Sequence, residues 1–196
     1  MCAGVDIHSD MGFENEVALM DAVTQGRKEA LDVLLDRYMT IVSRTSFRIL
    51  CDQEASNAVT REVFMKIWQR STGFDGRCSL STLIYRMTCR QCRKFLRRRW
   101  ILDLLNLSPS IYETSSPQPL FPEEDYITKE AWEIFCRASR NLSAQQRTVY
   151  ALCELELLQE EETGAVTGMS PGRIKDHLET ARKNVISELQ VYGKVR

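Results

Sequence analysis

No stretch of this 196-residue sequence approaches the roughly 18–20 uncharged apolar residues of a membrane-spanning helix, so insertion into a bilayer is not expected. Met1–Phe13 also lacks an apolar block and carries Asp6 and Asp10, so it does not read as a secretory signal. With no leader, the seven cysteines are expected as reduced thiols of a cytoplasmic protein rather than as a disulfide framework. Histidine is scarce: His8 and His177 are the only two. The C-x-x-C pair Cys89 and Cys92 therefore has no nearby His and no second pair, and a zinc site needs four ligands. Paired carboxylates, a nucleophile–base set and a phosphate-cradling glycine loop are all missing, so no catalytic residue, metal or cofactor is expected. Alternating strand patterns, internal repeats and low-complexity tracts are absent as well.

What is present is a soluble, folded composition, 43% apolar and 27% charged. The 26 Lys and Arg against 27 Asp and Glu give a net charge of −1, which at face value argues against nucleic acid. That average hides an uneven distribution. Between Asp75 and Asp103 there is no acid, while Arg77, Arg86, Arg90, Arg93, Lys94, Arg97, Arg98 and Arg99 all fall there, a local charge of +8. Asn106–Tyr126 is the reverse, with Glu113, Glu123, Glu124 and Asp125 and no cation. Pro109, Pro117, Pro119 and Pro122, four of the five prolines, lie in the same stretch, which can be neither a helix nor an inner strand. The expected organisation is a domain over 14–105, an acidic Pro-rich linker over 106–126 and a second small domain over 127–196.

Apolar spacing makes both domains all-α. Val17, Leu19 and Met20 begin a short helix that the Gly26 region ends. Leu31, Leu34, Leu35, Tyr38, Ile41 and Val42 form a stripe in Ala30–Leu50. Asp52 caps a third helix with Val59, Val63, Phe64, Ile67 and Trp68 on one face. After a turn-rich loop at Ser71–Gly76, a fourth helix over Ser79–Trp100 turns Leu80, Leu83, Ile84, Met87 and Phe95 inward. Beyond the linker, Thr128 precedes a helix that buries Ala131, Ile134, Phe135 and Ala138. Ser143 and Gln146 have capping-box spacing ahead of a helix that buries Val149 and Leu152.

Two constellations carry functional chemistry. Arg86, Arg90, Arg93, Lys94 and Arg97 recur at three- and four-residue steps along one side of the fourth helix, and no acid in the segment can satisfy them. A phosphate backbone would satisfy them, and Tyr85, Phe95 and Trp100 could stack on bases of a single strand. In the second, Glu160–Val166 forms a short helix, Gly164 is small at a helix crossing, Gly168 permits a tight turn, and Ser170-Pro171 starts a new helix. Ile174, Leu178, Ala181, Val185 and Leu189 point inward from that helix, leaving Arg173, Lys175, Asp176, His177 and Arg182 outward. This is helix-turn-helix spacing, in which the second helix enters a major groove.

The order of these parts resembles a bacterial RNA polymerase sigma factor of the extracytoplasmic-function (ECF) type, over roughly Glu16–Leu189. Ser56–Trp68, best in Glu62-Val-Phe64 and Ile67-Trp68, is similar to the family's region two core helix. Phe74–Met87 with Leu96-Arg-Arg-Arg99 resembles the segment that melts and reads the −10 element. Leu142–Tyr150 with Ser170-Pro-Gly-Arg-Ile-Lys175 resembles region four, whose helix-turn-helix reads the −35 element. The resemblance implies docking on core RNA polymerase through Glu62, Val63, Phe64 and Trp68. It implies −10 DNA contacts from Phe74, Arg77, Tyr85, Arg86, Arg90, Arg93, Lys94 and Arg97, and −35 contacts from Arg173, Lys175, Asp176, His177 and Arg182. Promoter DNA, core polymerase and an anti-sigma factor are the implied partners, in the cytoplasm and with no reaction of the chain's own. The sequence departs from the family at Ala58, Arg61, Asp176 and His177. Two other readings fit parts of the chain: a stand-alone helix-turn-helix regulator, or a helical adaptor for an acidic partner.

Overall fold

The computed structural model describes residues 15–69, 74–105 and 129–194. The expected linker at 106–126, Thr128 and the tip of the Ser71–Gly76 loop lie outside them. Within the described residues the chain is helical, with no strand. Helix α1 is Glu16–Thr24, α2 Lys28–Leu50, α3 Gln53–Gln69, α4 Leu80–Leu104, α5 Lys129–Arg140, α6 Ala144–Tyr150, α7 Glu160–Thr167 and α8 Pro171–Lys194.

The helix boundaries follow from capping chemistry. Asn15 accepts the Val17 N–H at 2.9 Å at the start of α1, and Asp52 accepts the Ala55 N–H at 2.9 Å at the start of α3. Ser79 caps α4 through the Thr82 N–H, and the Glu16 carboxylate accepts the Leu80 N–H at 2.7 Å, placing negative charge at the positive end of that helix. Ser143 and Gln146 form the expected capping box on α6. Between α6 and α7 lies a feature that residue spacing does not reveal: Ala151–Leu155 forms a π-helical turn, closed by the Glu156 N–H on the Ala151 carbonyl at 2.9 Å.

The apolar stripes meet much as their periodicity requires. Leu34, Val42, Val59, Val63, Phe64, Ile67, Leu80 and Ile84 form the core of α1–α4. Leu83, Met87 and Phe95 pack around its edge, half-buried. Burial of a large aliphatic side chain stabilises a fold by about 1.5–3 kcal/mol, so this cluster dominates the first half of the chain. Ala151, Leu152 and Val166 from the second half join the same cluster. A second cluster gathers Phe47 of α2 with Trp132, Phe135, Cys136 and Ala138 of α5 and Val185 of α8. The Phe47 and Trp132 rings lie 5.6 Å apart, Trp132 meets Phe135 edge-on at 5.5 Å, and Phe135 stacks on Tyr150 at 5.4 Å. Apolar contact is therefore continuous across the two halves. Trp132 is fully buried although it sits beside, not within, the expected stripe of Ala131, Ile134, Phe135 and Ala138. Leu189 is a correction: expected inward, it is 44% exposed, because the inward stripe of α8 ends at Val185.

Candidate nucleic-acid interface

Helix α4 carries the basic stripe. One side of the helix, including Leu80, Ile84, Thr88, Cys89 and Cys92, is buried, and this fixes Arg90, Lys94, Arg97 and Arg98 at the surface with Arg93 half-buried beside them. Among the described residues, none of these five cations has an ion-pair partner. The end members are engaged: the Arg86 Nε–H donates to the Ala165 carbonyl of α7 at 2.8 Å, and Arg99 lies 4.0 Å from Asp52. Arg77, in the preceding loop, is paired with Asp75 at 2.9 Å and stays exposed. The stripe is thus a run of unpaired positive charge on a rigid helix, the arrangement that attracts a phosphate backbone.

The aromatic residues beside the stripe differ in availability. Trp100 is 64% exposed and can offer a ring face to a base. Phe74 and Phe95 pack against the core. Tyr85 corrects the expectation of a nucleic-acid contact: its ring packs against the core and its hydroxyl donates to Glu156 at 3.1 Å, so it is occupied inside the protein. Burial and the neighbouring Glu156 charge raise the Tyr85 phenol well above its ordinary value.

On α3, Val63 and Phe64 are buried in the core, so they pack the fold and present no docking surface. Glu62 and Trp68 remain outside, with Trp68 37% exposed and Met65 exposed between them. Glu62 is paired with Lys66 at 2.8 Å; that contact, with a smaller contribution from Lys94, holds its carboxyl below the usual range. Ala58 and Arg61 lie on the same exposed side of the chain.

In the second half, α7 and α8 are joined by the three-residue turn Gly168–Ser170. Gly168 has φ +73° and its N–H closes α7 on the Gly164 carbonyl at 2.8 Å, a left-handed C-cap. A Cβ on Gly164 would sit 3.4 Å from the Met169 carbonyl and 3.6 Å from Ile174, ordinary contact for a close crossing. Ile174, Leu178 and Ala181 are buried and orient α8 so that Arg173, Lys175, Asp176 and Arg182 face outward. Arg182 bonds to Glu154 at 3.0 Å, Lys175 lies 3.7 Å from Glu160, and Arg173 reaches Gln145 at 3.4 Å. His177 is only half-exposed, and its Nε2 is buried without a hydrogen-bond partner.

A charged cluster joins the halves where no local motif announces one. The Glu156 carboxylate, 0% exposed, receives Arg44 and Arg48 of α2 at 2.9 Å each and Tyr85 of α4. Arg48 also donates to the Leu155 carbonyl. The signal in the sequence is a pair of arginines four residues apart on α2, flanked by buried Thr45, Phe47 and Ile49. Cys89 and Cys92 are both fully buried, and burial pushes the Cys92 thiol up to about 12, so neither is poised for redox or metal chemistry. Among the described residues no group of three or more His, Cys, Asp or Glu is arranged to hold a metal ion, and no helix is long and apolar enough to cross a membrane.

No family model matches the chain. It is similar to the ECF RNA polymerase sigma-E factor of Haemophilus influenzae, 25% identical over 179 residues that cover 88% of this chain and 94% of the relative. It is 23% identical to the protein of the same name from Escherichia coli K12, over 88% of this chain and 93% of the relative. In fold it is similar to RpoE of Bartonella quintana, solved with the anti-sigma factor NepR, with a TM-score of 0.64 over 82% of this chain and 96% of that one, at 16% identity. It is also similar to CnrH, solved with the cytosolic domain of CnrY, with a TM-score of 0.60 over 89% of this chain and 96% of that one, again at 16% identity.

Proposed function

We infer that the chain is an ECF sigma factor: it binds core RNA polymerase and directs promoter-specific transcription initiation. The carrying observation is the run of unpaired cations Arg90, Arg93, Lys94, Arg97 and Arg98 on α4, in a chain that matches sigma-E factors over 88% of its length. In this reading α4 holds the separated non-template strand of the −10 element, with Trp100 available to stack on a base. Phosphate contacts position the strand, and the cations themselves carry no base information. Arg77 and Arg86 flank the stripe and serve it from the loop and from the α7 side.

The pair α7 and α8 is the helix-turn-helix, and the first turns of α8 enter the −35 major groove. Arg173 and Lys175 exchange their weak internal partners for phosphates, and Asp176 accepts from a cytosine amino group. Arg182 supports α8 from Glu154. Core polymerase is met by the exposed edge of α3, through Glu62, Met65 and Trp68. Residues 14–105 and 127–196 serve as the −10 and −35 domains, and 106–126 joins them. The chain works in the cytoplasm and carries no reaction of its own; it lends promoter recognition to the polymerase. The anti-sigma partners of the two structural neighbours support an inhibitor protein of that class for this chain.

Pull-down of purified core polymerase by the tagged full chain tests this reading. Stoichiometric capture that weakens on Trp68→Ala or Met65→Glu supports it, and no capture at micromolar concentrations opposes it.

A further inference from the structure

Cys51 is the first residue after α2 and adopts a left-handed backbone, φ 51° and ψ 36°, a position that glycine or asparagine ordinarily fills. A cysteine there bears a backbone cost that its side chain must justify. It packs in the same apolar cluster as Cys136 of α5, across the contact between the two halves of the chain. Both cysteines belong to the Phe47–Trp132 packing region, and both line a groove of about 1200 Å³ that Arg140 and Arg147 also line. A small polar oxidant can reach them through that groove.

We propose that Cys51 and Cys136 are a modification site, a dithiol that a peroxide oxidises to a disulfide joining α2 to α5. Cys51 is the attacking thiol. It is half-buried where Cys136 is buried, and the positive charge of Arg140 and Arg147 in the same groove favours its thiolate. The Cys51 thiolate attacks one oxygen of hydrogen peroxide and the O–O bond breaks. The departing hydroxide takes up a proton and leaves as water, and Cys51 becomes a sulfenic acid. Cys136 then gives up its proton and attacks the Cys51 sulfur. The S–O bond breaks, and the hydroxyl leaves with that proton as a second water. Two electrons pass from the two thiols to one peroxide. The other described cysteines, Cys78, Cys89, Cys92 and Cys153, do not line this groove.

The proposal is independent of the promoter-binding reading. To test it, the reduced full chain is treated with a few equivalents of hydrogen peroxide, free thiols are alkylated, and unreduced peptides are mapped by mass spectrometry. The expected result is a predominant Cys51–Cys136 crosslinked peptide that dithiothreitol abolishes. Cys51→Gly, which suits the left-handed backbone, should remove the crosslink while leaving the circular dichroism spectrum unchanged. Cys136→Ala should leave a Cys51 sulfenic acid that dimedone traps. Recovery of both residues as alkylated thiols after peroxide is consumed, or a predominant disulfide between other cysteines, would overturn the proposal.

Discussion

Arg44 and Glu156, 112 residues apart in sequence, form a two-point ion pair between the halves of the chain, with Nη2 and Nε of the guanidinium 2.9 and 3.4 Å from the two carboxylate oxygens. Arg48 and Tyr85 converge on the same carboxylate, so four polar side chains close a buried seam between α2, α4 and the π-helical turn. Once desolvated, such a group is stable only while all its partners are present.

Removing Glu156 takes from Arg48, whose side chain is 9% exposed, the buried carboxylate it pairs with at 2.9 Å. Glu156→Ala is expected to destabilise the fold by about 3–5 kcal/mol, the scale of a broken buried ion pair. Chemical denaturation followed by circular dichroism measures it. Glu156→Gln keeps the Tyr85 hydrogen bond and should cost less.

Tyr85 gives the seam an alkaline limit. Its phenol is raised above the ordinary value by burial and by Glu156, so folding favours the neutral form. The resulting stability is fully present below about pH 10, the unfolded value, and is lost as pH rises toward the folded value. Wild type should lose stability above about pH 10 more steeply than Tyr85→Phe, which has no phenol to ionise. Urea midpoints measured between about pH 8 and 11 decide the point.

The cations of α4 predict a salt dependence. Each phosphate contact on a single strand contributes roughly 0.7 to the slope of log K against log salt. Replacing Arg90, Lys94 and Arg97 together by Ala should weaken promoter-complex binding and lower that slope by roughly 2. Because all three side chains are at the surface, the thermal midpoint should hardly move.

Gly168 separates backbone strain from contact. It sits at φ +73° with open space within 4 Å of where a Cβ would lie, so Gly168→Ala meets no clash and is penalised by its left-handed backbone alone. The expected loss is about 1–2 kcal/mol, with Gly168→Asn milder. Thermal unfolding of the two variants tests the turn.

Much of the fold is legible in the sequence because local rules govern it. The α1–α4 stripes, the Ser143–Gln146 box and the Gly168 turn each depend on residues within a few positions of one another. Val63 and Phe64 mislead as surface residues because a motif marks which residues recur, and core residues recur as faithfully as contacts do. The Glu156 cluster and the Cys51–Cys136 pair are invisible in the sequence for another reason: each joins residues from distant parts of the chain, and only the packing of the halves brings them together.

Net charge shows the same contrast between average and arrangement. A chain at −1 should bind free DNA weakly, and under the proposed function the unpaired stripe on α4 gains its target only when polymerase presents a separated strand. The most direct measurement is run-off transcription on fragmented genomic DNA by core RNA polymerase with and without the purified chain, with mapping of transcript 5′ ends. The account predicts a discrete set of starts that appear only with the chain, share sequence at the −10 and −35 positions, and disappear when Arg90, Lys94 and Arg97 are replaced. Transcript starts that are the same with and without the chain would contradict it.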